Sequence, residues 1–367
     1  MKKNIRYFSL IYFLSVYVIY GQDPHFSQFA EHSALINPAL TGVDHSLKFT
    51  VAYKNQWQSV STPYRTYGAS VESRLKPGGW QQLDKHRGMS FKERTAGHLA
   101  AGFSVYKDKV GDGNLERTQA NLSLAAFIRT GNKSFLSCGL QGSLAQQKLN
   151  NAALIFPNQY NGLAYDPSVS SGENFASQNF TYADLGAGLL WSYNRTSKLA
   201  GASRIKINIG ASAFHLNKPR QAYLLASSDA FVPKYVLYGD ILLRPSFSKL
   251  ALAPSFLFQK QGPSSELLAG FMVKYYTGYG GSKYTGLDKS SCMSYGVFYR
   301  KADAFILMML VEWKEQYALG LSYDITISKL SKTSTGRGGM ELMLRYTPPS
   351  TYLYQKRKGG GSSLTDH

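Results

Sequence analysis

Cysteine is nearly missing from this chain: Cys138 and Cys292 are the only two in 367 residues, which excludes a disulfide framework. Each stands in a strand-like run far from the other. The expectation is two free buried thiols acting as small hydrophobes, with a single bridge as the other option. No Cys follows the leader region, so lipoprotein anchoring has no support. Long apolar runs are also lacking. Beyond residue 21 the longest extends from Phe305 to Val311, well short of the roughly 20 residues of a helical span, and helical membrane architecture is excluded. Acidic residues are scarce, 22 against 41 Lys and Arg, for a net charge of +19. Such a balance draws nucleic acid, anionic lipid or acidic protein, and says nothing of fold. Catalytic and metal-binding patterns are absent. His25, His32, His45, His86, His98, His215 and His367 show no ligand spacing. No P-loop, G-x-S-x-G or dinucleotide fingerprint occurs. His98 and His215, at strand ends, are the candidate bases of a Ser-His-carboxylate site, and both are expected instead to hydrogen-bond at an interface. The reading is no enzyme and no cofactor.

What the chain has in quantity is aromatic residues and glycine: 26 Tyr, 20 Phe and 34 Gly, with charged residues held to 17%. That composition suits sheet better than a disordered chain or a cytosolic enzyme. The start is equally directive. Lys2, Lys3 and Arg6 precede an apolar stretch from Phe8 to Tyr20, and Gly21 is small enough for cleavage, so residues 1–21 read as a Sec signal peptide. An anchor helix is the other reading, for which the stretch is short. Ile19 occupies the position three residues before the cut, where a small residue is usual. Export argues against nucleic acid as the partner of the positive charge.

Period-two alternation runs through the remainder. Leu47, Phe49, Val51 and Tyr53 alternate with Lys48, Thr50 and Lys54, and Tyr317, Leu319, Leu321, Tyr323 and Ile325 with Gly320, Ser322, Asp324 and Thr326. One face is apolar and the other polar or small. Fourteen strands are expected, starting near residues 47, 66, 97, 118, 134, 180, 204, 235, 249, 266, 292, 303, 316 and 338. An even number closes an antiparallel barrel with both ends on one side of a membrane. A soluble β-sandwich alternates as well. Runs such as 180–193 and 204–215 are longer than globular strands of five or six residues, and aromatics gather toward their ends, which favours a transmembrane barrel over residues 47–347.

The connections and in-strand charges carry the functional reading. Lys107 to Asn114 has the Asp/Gly/Asn flavour of a calcium loop without its full ligand series, so a hairpin turn is expected there. Longer excursions at 76–95, 149–178 and 217–234 are candidate binding loops. Glu72, Arg74, Lys206, Asp240, Lys274, Arg300, Asp324, Glu341 and Arg345 sit in register with small or polar neighbours and should face the lumen. A lipid-facing Arg or Lys costs about 2–4 kcal/mol at the midplane. These charges make either a polar pore or, preferred here, a salt-bridged filling.

A family resemblance rests on specific segments. Gln22-Asp23-Pro24-His25-Phe26-Ser27-Gln28-Phe29 is followed by Asn37-Pro38-Ala39-Leu40-Thr41-Gly42, then Tyr53-Lys54-Asn55-Gln56-Trp57, Pro63-Tyr64-Arg65-Thr66-Tyr67, Asp108-Lys109-Val110-Gly111-Asp112-Gly113 and Tyr323-Asp324-Ile325-Thr326 with Ser328 and Leu330. In order and spacing these pieces resemble the PorP/SprF family of the type IX secretion system across nearly the whole chain past the leader. Two positions depart from it. Lys54 stands where the family usually has Arg, whose planar fork Lys lacks. Met340-Glu341 stands where a His-Glu pair is common, leaving Glu341 in place.

The resemblance implies a non-enzymatic outer-membrane accessory of Bacteroidetes-type bacteria that helps an adhesin-like protein cross or stay at the cell surface, in a system that also serves gliding motility. It implies contact with the C-terminal domain of a secreted protein and with periplasmic, peptidoglycan-linked components, beside the surrounding outer-membrane lipid. On that basis residues 22–46 form a motif segment that plugs the lumen or packs beneath it, and residues 348–367, with Lys356-Arg357-Lys358 before a Gly/Ser run, form a flexible basic tail. A passive porin or small-solute transporter on the same barrel is the alternative function, and a soluble secreted adhesin a third.

Overall fold

The computed structural model describes residues 25–57, 63–75, 98–111, 115–131, 133–150, 154–166, 168–172, 179–196, 203–220, 230–277, 291–314, 316–328 and 337–348. The leader, Gln22, Asp23 and Pro24, the excursion at 76–95 and the tail past Pro348 lie outside them. Fourteen strands form: β1 (Leu47–Gln56), β2 (Tyr64–Leu75), β3 (His98–Val110), β4 (Leu115–Arg129), β5 (Ser134–Lys148), β6 (Asn179–Thr196), β7 (Arg204–Phe214), β8 (Lys234–Arg244), β9 (Leu250–Gln261), β10 (Ser264–Tyr276), β11 (Cys292–Arg300), β12 (Ala304–Trp313), β13 (Tyr317–Thr326) and β14 (Arg337–Tyr346). Each pairs antiparallel with its chain neighbours, and β14 returns to β1 from Phe49↔Tyr346 to Gln56↔Gly339, closing a barrel. Closure leaves no unpaired edge. Among the described residues no helix is long and apolar enough to cross a membrane.

The alternation is inverted relative to a soluble protein. Leu140 is 68% exposed and its neighbour Gln141 is 4% exposed, so the large apolar residue faces out and the amide faces in. The same holds around the ring, with Val51, Leu99, Leu124, Leu189 and Leu307 exposed. An apolar exterior over a polar interior is what a lipid solvent selects. Aromatic pairs mark both rims. Tyr317 stacks on Tyr346 with ring centroids 5.0 Å apart at the mouth where the chain enters and leaves the barrel, here the near mouth. Tyr53 meets Tyr67 at 5.1 Å, and Tyr299 meets Phe305 at 5.1 Å, toward the opposite or far mouth.

The hairpins follow turn chemistry. Gly262, at φ +56°, and Pro263 make a two-residue connection between the paired Gln261 and Ser264. Of the hairpin turn expected at 107–114, Lys107 to Val110 instead extend β3, and Gly111, the first residue after it, takes φ +68°, the left-handed region glycine favours. Two expectations need correction. Cys138 is exposed while Cys292 is buried, and both are free. Ser137 points into the lumen, so strand alternation turns Cys138 to the outside. His215 lies at no interface: it is buried, with Nδ1 3.0 Å from the Asp184 carboxylate inside the barrel.

The core is the lumen itself. Residues 25–46, ahead of β1, run inside the ring as two 3-10 turns, Phe29–Glu31 and Pro38–Leu40, flanking the one-turn helix Ser33–Ile36. Phe29 packs edge-on against Tyr238 of β8 and Phe298 of β11, at 6.2 and 6.0 Å. Phe26 joins Tyr106, Ala52, Leu310 and Met343, and Ala39 joins Ala125, Phe127 and Leu190. Burying a Phe side chain contributes roughly 1.5–3 kcal/mol, and these anchors touch opposite sides of the wall.

Candidate functional site

The lumenal segment is held at two levels. Near the far mouth, Ser27 is enclosed by charges from four strands. Its hydroxyl lies 2.8 and 2.9 Å from the two oxygens of Asp324 on β13, to which it donates. It accepts from Lys54 Nζ of β1 at 3.1 Å and from Arg300 of β11 at 3.0 Å. The backbone N–H groups of Ser27 and Gln28 donate to the Glu341 carboxylate of β14 at 2.6 and 3.0 Å. Lys54 also reaches the His25 carbonyl at 3.1 Å and stands 3.9 Å from both carboxylates. Arg300 pairs with Asp324 at 3.1 Å. Buried charges are stable only when paired and hydrogen-bonded in this way.

At the lower level Glu72 of β2 accepts from Ser33 Oγ at 2.5 Å and from the Gly42 N–H at 3.0 Å, and pairs with Lys48 at 2.9 Å. Arg74 donates to the carbonyls of Gly42 and Val43 at 2.6 and 2.5 Å. Gly42 takes φ +73°, which releases the chain from the turn toward β1. Asn37 has two tasks. Its Oδ1 accepts from Ala39 N–H at 2.8 Å, capping the Pro38 turn, and its Nδ2 donates to the carbonyls of Leu189 (2.9 Å) and Ala211 (3.2 Å) on β6 and β7. The wall is glycine where that turn presses on it. A Cβ at Gly139 would collide with the backbone of Pro38 and Ala39, and one at Gly188 with the Asn37 side chain. Arg345 clamps Glu31 at 2.7 Å, and Lys206 pairs with Asp44.

The segment's own titratable groups are set by this enclosure. Burial lowers His32 to about 3 against the opposing Glu31 carboxylate, and Lys48 and Lys54 add to the fall, so its imidazole, stacked on Phe26 at 4.0 Å, is neutral. Burial also depresses His25, with help from Lys54 and Arg300. For Glu31 burial works upward, but Arg345 and Lys48 prevail and hold the carboxyl below its usual range.

The described residues among those singled out in the sequence separate into four places. Phe26, Ser27, Gln28, Asp324 and Glu341 converge in one cluster, and Asn37, Pro38 and Gly42 occupy the lower level. Gln56, Trp57, Pro63, Tyr64, Asp108 and Gly111 line the far mouth, where Trp57 meets Tyr64 edge-on at 6.3 Å and its N–H bonds Gly338 at 2.6 Å. Asn55 and Tyr323 lie on the outward side of their strands, Tyr323 43% exposed. Gln22, Asp23 and Pro24 fall outside the described residues. The holders that lie outside the motif segments are Lys48, Glu72 and Arg300, while Lys54 stood inside one as a departure from the family's Arg. Their signal was charge within a strand, which fixed their facing and not their partner.

A family model described as "Type IX secretion system membrane protein PorP/SprF" matches residues 18–346. No curated protein sequence matches. Similar solved structures include a TodX monoaromatic hydrocarbon channel (deltaS2 mutant) at 10% identity, covering 86% of this chain and 93% of that one, TM-score 0.42. The Ralstonia pickettii toluene transporter TbuX is 9% identical over 87% and 93% of the two chains, TM-score 0.40. A KdgM porin in complex with disordered oligogalacturonate is 7% identical over 82% and 99%, TM-score 0.37.

Proposed function

From the premise that the chain belongs to the PorP/SprF family of type IX secretion system membrane proteins, we propose that it is a non-enzymatic accessory supporting export and surface retention of one adhesin-like secreted protein, and through it gliding motility. The barrel with its apolar exterior and the family together support placement in the outer membrane. One observation carries the choice of a docking protein over a passive pore: the lumen is filled by the protein's own chain, bonded to the wall at two levels. A solute path would need that segment to leave. In this reading the far-mouth connections, including the 149–178 excursion, meet the C-terminal domain of the secreted protein. The near mouth and the tail meet peptidoglycan-linked components.

The test is a clean deletion of the gene, comparing cell-surface and culture-fluid proteins with those held in the periplasm. Loss of one large surface protein or a small set, with accumulation inside, is expected. An unchanged surface proteome with reduced uptake of a small solute would overturn this reading in favour of a porin.

A further inference from the structure

Two arginines meet at the near mouth. Arg204 is the first residue of β7 and Arg244 the last of β8, and the register pairs them directly across the two strands. Both face the lumen. On β7, Asn208 is buried and Ile209 exposed, and Lys206, of the same parity as Arg204, reaches Asp44 of the lumenal segment. On β8, Leu243 is turned out and Arg244 in, where it is buried. Opposed residues on neighbouring strands hold their Cβ atoms about 4.5–5.5 Å apart, and like charges so placed repel. A counter-charge between the two would relieve that repulsion.

The described carboxylates on this side of the lumen are engaged elsewhere. Asp44 is held by Lys206, Glu31 by Arg345, Glu72 by Lys48, and Glu312 by Arg345 and Lys274. Asp240, four residues from Arg244 on β8, accepts from Asn208 and from the Tyr238 hydroxyl. The neighbouring connections at 197–203 and 245–249 contain no Asp or Glu. Arg204 Nε is closed off from water and has no acceptor among the described residues, a costly state for a charged donor. The surroundings suit an organic acid. Arg244 donates through Nε to the Ser248 carbonyl at 3.1 Å and lies over the Tyr276 ring, 4.1 Å from its centroid. Tyr276 packs with Ala251, Cys292 and Leu242, an apolar pad beside the guanidinium. The planar fork of Arg matches a carboxylate, and the pad matches the stem that carries it. With the Asp44 side chain 52% exposed, this level of the lumen is open to water.

We propose that Arg204 and Arg244 form a carboxylate-binding site at the near mouth, which takes an acidic peptide through its C-terminus or through a Glu or Asp side chain. The site rests on the reading that this mouth meets periplasmic components. The two are tested apart: an unchanged surface proteome on gene deletion removes the secretion role and leaves peptide binding standing, and a purified barrel that binds no peptide does the reverse.

The experiment is fluorescence anisotropy of the full-length protein in uncharged detergent with the peptide Ala-Leu-Leu-Glu, labelled at its N-terminus with an uncharged dye. Its C-terminal amide, its form with Gln in place of Glu, and the form with both changes are the comparison probes, and inorganic phosphate is the competitor. Saturable binding is expected, weakened at least about tenfold when both carboxylates are neutralised. The single change that weakens it more identifies the carboxylate that docks. Arg204→Gln and Arg244→Gln should each weaken binding at least about tenfold, and Arg204→Lys, which keeps the charge without the fork, should recover only part of it. Heat-modifiable gel mobility checks that each variant is a folded barrel. Thermal unfolding separates binding from support of the wall. Without peptide, Arg204→Gln should melt no lower than the parent, because it relieves the repulsion; the peptide should raise the Tm of the parent and leave that of the variant unchanged. Binding unchanged in either Gln variant, or phosphate displacing the label as effectively as unlabelled peptide, would overturn the proposal. So would Arg204→Gln melting below the parent without peptide. The barrel itself would then supply the counter-charge, and Asp288→Asn, in the β10–β11 connection outside the described residues, would test for its source.

Discussion

At the scale of single residues, Ser27 shows how the lumenal segment is fixed. Its hydroxyl donates to Asp324 and accepts from two cations, so Ser27→Ala removes one small group and leaves Lys54 and Arg300 each short of a partner. A loss of about 1–3 kcal/mol in seating is expected. Asp324→Asn removes the charge both cations face, and about 3–5 kcal/mol is expected. Hydrogen exchange would read this as faster exchange across residues 26–42, with strand amides unchanged. His32 adds a pH dependence. Its imidazole is neutral when seated and titrates near 6.5 when free, so the free state binds more protons between about 6.5 and 3. Seating is therefore complete above pH 6.5 and weakens as pH falls, by about 2–3 kcal/mol at pH 4.5. Glu31, held low by Arg345 and Lys48 against burial, acts in the same direction at lower pH. His32→Phe should keep the segment protected at pH 4.5; equal deprotection of variant and parent would remove His32 from the explanation. These details were partly legible in the sequence. Alternation gave the facing of Asp324 and Glu341, and motif reading gave Ser27. That the two meet required closing β14 onto β1, a contact about 300 residues distant in the chain that no local pattern encodes.

Among the elements, strand starts were the most legible feature, because a period of two in a half-buried sheet leaves its mark on every residue. The expected start near 118 became Leu115 and that near 66 became Tyr64, since charged and aromatic rim residues continue a strand without alternating cleanly. The facing of Cys138 was misread for a different reason. Small residues occur on both faces where the Asn37–Ala39 turn approaches, so size there does not report burial. The pairing of β8 with β9 holds a further consequence. Registered pairs run from Lys234↔Gln261 to Asp240↔Ser255 and resume only at Leu243↔Leu252. The gap falls at Pro254, which has no N–H to donate, while its pairing toward β10 through Phe271 is intact. The ladder is interrupted at this point of the ring. The β9-facing amides between Asp240 and Leu243 should exchange at least about tenfold faster than those joining β4 to β5, where pairing is continuous. Pro254→Val should slow them, and protection at these amides already equal to the rest of the wall would show that the seam is closed.

For the whole molecule, strand number sets the problem that the lumenal segment solves. Eight strands enclose an interior that side chains alone can fill, and sixteen to eighteen leave an aqueous channel. A ring of fourteen falls between, with room for more than its own inward side chains, and here a stretch of about twenty residues occupies that room. The segment is not needed to close the ring, since every strand pairs with two others without it. Nor would its removal strand charges in a dry interior, because Lys54, Arg300, Asp324 and Glu341 would then face water, where solvation replaces the lost partners. Deleting residues 25–43 should therefore give a folded barrel with a hydrated lumen. In planar bilayers the full-length protein should show no steady conductance and the deletion should show an open level, with Ser27→Ala intermediate as brief openings. Steady conductance from the full-length protein would mean that water and ions pass beside the seated segment, and the docking reading would lose the observation that carries it. Silence from a deletion proven folded by heat-modifiable mobility would mean that the wall fills the lumen by itself. The two levels of anchoring would then serve a purpose other than sealing, such as fixing His25 and Phe26 near the far mouth.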